Sequence, residues 1–137
     1  MYTVLVISAH PDDMEIACAG TLLKCKERGD RVVVCHLSDG NQGHEIILPE
    51  ELGKMRIKEA QRSGSIGGFE VIWGGFHDLE IYDNNRESRD QVVDVIKRVD
   101  PDFIITHVLR GAREGRDAPR SRGACGQAQV AKERALG

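Results

Sequence analysis

Apolar positions along this chain follow two alternating rhythms. Thr3–Ser8 (TVLVIS) is a continuous apolar run rich in β-branched residues, which suits a strand covered on both faces. From Glu15 to Arg28 the apolar residues fall at Ile16, Ala19, Leu22, Leu23 and Cys25, a helical spacing, and Gly29 supplies a stop. Arg31–Leu37 (RVVVCHL) is a second strand, followed by a polar, Gly-rich loop over Ser38–His44. Pro49 suits the first position of a helix running to about Ser63, with Glu50 and Glu51 at its positive end. Glu70–Trp73 is a short third strand, and residues 74–85 read as loop. Ser88–Val99 places Val92, Val95, Ile96 and Val99 on one helical face, Asp100-Pro101 ends it, and Phe103–Thr106 is a fourth strand.

This alternation predicts an α/β fold: a Rossmann-like three-layer domain over residues 1–107, with a mostly parallel sheet of four strands and helices on both faces. Sheets of this kind bind ligands outside the carboxyl ends of their strands, where the strand order switches. His10, Asp12 and Asp13 leave the first strand there, Asp39 the second and His107 the fourth.

The rhythm stops at residue 108. Residues 108–137 contain no Ile, Phe, Trp or Tyr, and six Arg, six Ala and five Gly fill more than half of them. Only 127–136 reads as a weak helix. The segment is expected to form an irregular Arg/Ala/Gly-rich tail that leaves the fold incomplete at its C-terminus, with the composition of a truncated or frameshifted end. The sheet flank it fails to cover is expected to favour self-association as a homo-oligomer.

Charge and cysteine usage narrow the setting. The net charge of −3 divides into an acidic body, with twelve Lys/Arg against nineteen Asp/Glu in 1–107, and a basic tail, with seven against three. An acidic body does not suggest a nucleic-acid surface. No apolar run is long enough for a membrane span, and no basic leader precedes the first strand. Cysteines 18, 25, 35 and 125 lack CxxC spacing, so reduced thiols and a cytoplasmic location are expected.

The chemistry is concentrated in His10-Pro11-Asp12-Asp13. Imidazole nitrogen and carboxylate oxygen are good Zn²⁺ ligands, and Pro11 biases His10 towards an extended backbone that holds the turn open. His10 and Asp13 can then face one ion, while Asp12 remains free to take a proton from water. The same residues also make a good helix start, with Asp12 as cap and Glu15 reaching back. Spacing alone leaves both readings open.

The stretch VISAHPDDMEIACAGTLLK closely resembles the first signature of the zinc-dependent N-acetylglucosamine deacetylases of the PIG-L/LmbE type. LSDGNQG resembles that family's Thr-x-Gly-x-x-Gly loop, MRIKEAQRSGSIGG its Arg-x-x-Glu-Ala helix, and DPDFIITH its fourth strand. The resemblance covers residues 1–107. It implies His10 and Asp13 as zinc ligands, Asp12 as general base, and Arg56 as a contact to substrate oxygens; from spacing alone, Arg56 is equally a surface salt bridge to Glu59 or Glu51. It implies a hydrolase that removes acetyl from an N-acetylglucosamine-type amino sugar or conjugate.

Glu15 comes one place later than the family's Glu, and Ala19-Gly20-Thr21 stands for its Gly-Gly-Thr, but the larger departure follows the fourth strand. The family's third zinc ligand lies in a His-x-Asp-His motif shortly after the fourth strand. His107 matches a position just upstream of that motif, and no histidine follows it. Impaired activity is therefore expected, and a non-enzymatic remnant is the alternative. A Mg²⁺-binding receiver-type domain using Asp12, Asp13 and Asp39 needs a lysine at a later strand end, and Phe103–His107 has none. Dinucleotide binding needs glycines where the first turn carries acids.

Overall fold

In the computed structural model, residues 1–81, 86–107 and 128–131 are described, the last four by their backbone. The elements run β1 (Thr3–Ser8), α1 (Asp13–Ala17), α2 (Ala19–Glu27), β2 (Arg31–Ser38), α3 (Pro49–Gly67), β3 (Glu70–Phe76), α4 (Arg86–Val99), β4 (Phe103–His107) and β5 (Ala128–Ala131). The sheet order is β3-β2-β1-β4-β5. The first four strands are parallel, as their sequence predicts, and β5 pairs antiparallel to β4.

Strand periodicity sorts the core into two layers. Val4, Val6, Val32, Val34 and Ile105 point to one face, where Met14 of α1 and Leu22 of α2 cover them. Leu5, Ile7, Val33 and Cys35 point to the other, under Val95 and Val99 of α4. A strand buried on both faces needs apolar residues at every position, which is why β1 and β2 lack the alternation of a half-exposed strand.

Three elements differ from the sequence reading. The predicted 15–28 helix is interrupted at Cys18 (φ −148°, ψ 10°), giving α1 and α2. α3 runs to Gly67 instead of about Ser63, and Gly68 ends it in the left-handed region (φ 71°). Glycine text argues against a helix, but at Gly64 the close approach of β3 decides: a Cβ there would collide with Val71. β3 extends to Phe76, past the expected Trp73. Two glycines hide the strand signal, and Gly74 lies so close to β2 that a Cβ would sit 2.8 Å from Leu37 Cα.

Residues 128–131 form a strand where the sequence offers at most a weak helix. Edge pairing is a backbone interaction, satisfying the open N–H and C=O groups of β4 with little demand on side chains. The rest of 108–137, expected to form an irregular Arg/Ala/Gly-rich tail, lies outside the described residues.

Candidate active site

The strand order reverses direction at β1, with β2 on one side and β4 on the other. The turn after β1 and the last residue of β4 therefore meet at the crevice where this architecture takes ligands.

The turn is held by its own backbone. The His10 carbonyl accepts from the N–H groups of Asp12 (3.0 Å) and Asp13 (3.4 Å), and the His10 N–H donates to Asp13 Oδ2 at 2.8 Å. Beneath it, His36 Nδ1 lies 3.1 Å from the same carbonyl and 2.7 Å from Ser8 Oγ. Burial pushes the His36 pKa down, against the pull of Glu15, so a neutral ring supports the turn from below. His36 reads as a core residue in sequence and is buried, yet its polar edge anchors the site.

Asp12 occupies the N-cap position of α1, but its side chain makes no capping bond. Its Oδ1 instead meets Arg56 Nη2 at 3.1 Å. The side chain thus does not cap the helix, and the Asp12 carboxylate lines the cleft. Arg56 is partnered by Asp12 and by the Gly40 carbonyl (3.2 Å), rather than by Glu59 or Glu51. Gly40 lies at φ 68°, in the left-handed region that favours glycine, and a Cβ there would push the guanidinium aside.

Asp13 points the other way. Its Oδ2 lies 3.7 Å from His10 Nδ1 and 3.1 Å from His107 Nε2. The donor set of two imidazoles and a carboxylate matches the chemistry of catalytic zinc sites. Among the described residues, however, no three His, Cys, Asp or Glu side chains are already arranged to hold a metal ion.

Asp78 is a residue that the sequence reading missed. Its Oδ1 lies 3.4 Å from His10 Nε2 and 2.8 Å from Ser38 Oγ, and its Oδ2 accepts from Gln42 N–H at 3.0 Å. Burial raises its pKa, but the Gln42 and Ser38 bonds, with His10 and Arg56 nearby, outweigh this and leave it lowered. The preceding residue, His77, places Nδ1 2.6 Å from the buried Asp39 Oδ2. Asp39 was grouped with the ligand-facing acids by its strand-end position; it is turned instead into this pair. No local pattern marks Asp78 or His77, because both depend on β3 running three residues further than its apolar text.

His10, Asp12, Gln42, Gly43, Arg56, Asp78 and Leu79 line an open cleft of about 370 Å³. No described helix is long and apolar enough to cross a membrane.

The chain is 35% identical over 105 residues to a diacetylchitobiose deacetylase of Thermococcus kodakarensis, covering 74% of this chain and 39% of that protein. It is 26% identical to a 4-oxalmesaconate hydratase of Pseudomonas putida, covering 79% of this chain and 44% of the relative. Among solved structures, the N,N'-diacetylchitobiose deacetylase of Pyrococcus horikoshii superposes with a TM-score of 0.68 at 31% identity, over 74% of this chain and 39% of that one. The chain thus spans about two-fifths of the length of these relatives. Residues 5–117, which include the whole of the cleft lining and His107, match the family described as PIG-L, GlcNAc-PI de-N-acetylase, and the chain belongs to that family.

Proposed function

We propose that this chain carries the water-activating site of a zinc-dependent amidohydrolase that removes acetyl from an N-acetylglucosamine-type amino sugar. The observation that carries the reading is the division of labour in the acidic pair. Asp13 faces the imidazoles of His10 and His107, while Asp12 opens onto the cleft beside Arg56.

His10 and Asp13 would hold the metal. A Zn²⁺ ion held there would supply Lewis acidity to the carbonyl and to the attacking water. Asp12 takes the proton of the attacking water on a carboxylate oxygen as the new C–O bond forms. The same acid then returns a proton to the amide nitrogen as the C–N bond breaks, leaving acetate and a free amine. Arg56 binds sugar or carbonyl oxygens through its fork of N–H donors and keeps Asp12 oriented until substrate arrives. Asp78 offers a second wall of acceptor oxygens for hydroxyl groups.

The similarity to the chitobiose deacetylase and the family's description both support an amino-sugar substrate. A second reading follows from the hydratase relative: the same water-activating pair would add water to an unsaturated acid, with Arg56 binding its carboxylate. Because the His-x-Asp-His motif is absent, turnover is expected to be slow. A cytoplasmic setting suits the unpaired cysteines Cys18, Cys25 and Cys35.

The test is acetate release from N-acetylglucosamine and its conjugates by the zinc-supplemented full chain. Asp12→Ala should lower the rate by about 10²-fold or more while leaving bound zinc largely unchanged. Equal acetate release by the parent and Asp12→Ala would remove the base assignment, and hydration of an unsaturated dicarboxylate without acetate release would favour the second reading.

A further inference from the structure

Two polar atoms lie buried beneath the His10–Asp13 turn without a partner. Glu15 Oε2 and His36 Nε2 are both shut off from solvent, and neither has a hydrogen-bond partner among the described residues. Buried polar atoms are almost always paired, directly or through an ordered water.

The layering of the fold brings the two side chains together. Met14 packs into the same core layer as Val34, and His36 follows Val34 on that face of β2. Glu15, the next residue of α1, is thereby carried over the ring. Burial pushes the His36 pKa down, and the Glu15 carboxylate opposes this more strongly than Asp13 or Asp12 does. Glu15 does not reach back to close a capping box, because the Asp12 N–H is taken by the His10 carbonyl.

The far edge of the ring shows where its proton sits. His36 Nδ1 lies 2.7 Å from Ser8 Oγ and 3.1 Å from the His10 carbonyl oxygen, and Ser8 Oγ donates to that carbonyl at 3.4 Å. A carbonyl oxygen only accepts, and the hydroxyl proton is directed at it, so Nδ1 carries the ring proton and donates to both oxygens. Nε2 of the neutral ring is then a bare acceptor, and so is Glu15 Oε2. Two acceptors cannot satisfy each other, but one water can serve both through its two O–H groups. A cavity of about 20 Å³ opens beside His36, between Pro11 and Gln61. One water needs roughly 10–15 Å³.

We propose that a buried water donates to His36 Nε2 and to Glu15 Oε2, and that Glu15 and His36 are positioning residues for the His10–Asp13 turn. Through Nδ1 the ring fixes the His10 carbonyl, which in turn receives the N–H groups of Asp12 and Asp13. Glu15, by way of the water, keeps the ring from rotating away from that carbonyl. The water site stands on hydrogen bonding alone. Its effect on turnover rests on the reading of Asp12 as the base.

A high-resolution crystal structure of the full chain tests the first part, and should show a water within hydrogen-bond distance of both atoms. ¹⁵N NMR at neutral pH should find a neutral His36 with its proton on Nδ1. Glu15→Leu and Glu15→Gln test the second part. Leucine removes the acceptor, so the water should be lost, the Asp12 and Asp13 amide resonances should shift, and kcat for acetate release should fall at least about tenfold at unchanged KM. The unfolding midpoint should not fall, because a buried carboxylate is exchanged for an apolar group of similar volume. Glutamine keeps an acceptor oxygen and should restore the parent's shifts and kcat. A proton on Nε2, no water at the ring, or a water that touches His36 without reaching Glu15 would overturn the proposal. Amide shifts and kcat of Glu15→Leu equal to the parent's would remove the positioning role. If the parent itself releases no acetate, the amino-sugar reading fails, while the water, the tautomer and the amide shifts still decide this one.

Discussion

Arg56 Nη2 lies 3.1 Å from Asp12 Oδ1, joining the middle of α3 to the turn that follows β1. The Arg56 side chain is 20% exposed and that of Asp12 57%, so the guanidinium is anchored and the carboxylate is the partner free to move. Through Nη1 the same side chain holds the Gly40 carbonyl, so one residue gathers three segments around the cleft. Arginine can do this because its donors form a rigid planar fork; a lysine offers a single point charge.

Arg56→Lys is accordingly expected to raise KM for an amino-sugar substrate about tenfold with a smaller change in kcat, the pattern of lost binding shared by ground and transition states. Steady-state kinetics on the zinc-supplemented chain measures this. An unchanged KM would mean that Arg56 only steadies Asp12.

The Asp39–His77 pair should make stability depend on pH in a defined direction. The hydrogen bond that His77 donates to Asp39 raises the His77 pKa above its ordinary value. The folded chain therefore holds this proton more tightly than the unfolded chain does. The stabilisation is complete below the unfolded pKa of about 6.5 and fades as pH rises through the folded value. His36 acts oppositely: burial lowers its pKa, so folding is penalised as pH falls below about 6.5. Comparing the parent with His77→Gln isolates the first effect. In urea unfolding the variant should be weakened more at about pH 5.5 than at about pH 9; an equal deficit at both would show that the pair is not linked to folding.

Gly64→Ala tests why α3 tolerates so much glycine. Helix propensity alone favours alanine by about 1 kcal/mol. A Cβ at this position collides with Val71 of β3, and overpacking of that kind costs about 1–3 kcal/mol. The net expectation is a loss of stability in thermal or urea unfolding, and a gain would show that β3 can retreat.

Leu22 and Leu23 are neighbours with opposite fates. Leu22 is 0% exposed in the core layer beneath α2, whereas Leu23 is 46% exposed. Leu22→Ala should cost about 2–5 kcal/mol, and Leu23→Ala about 1 kcal/mol or less. Denaturation midpoints of the two variants, compared directly, check the orientation of α2.

Much of this protein was determined by its sequence alone. The run TVLVIS specifies a strand buried on both faces, because continuous β-branched text has no polar side to give to water. The order of strands and helices then requires a parallel sheet, since a helix between two strands returns the chain in the same direction. From these two facts the His10–Asp13 turn and His107 fall at one edge, and His10, Asp12 and Arg56 do line one cleft. The signals are local or periodic, so a linear reading recovers them.

Tertiary structure decided everything that depends on which distant groups meet. Asp12 is a helix cap or a cleft residue according to whether Arg56 reaches it. His77 has a partner only because β3 extends to Phe76 and sets it against Asp39. Asp78 joins the site through Ser38 and Gln42, and Asp13 meets a residue from the far end of the described domain. Each is a pairwise contact set by packing at close range, where a shift of one ångström makes or breaks a hydrogen bond. Residue order carries the fold's periodicity, but such distances exist only once the layers have closed.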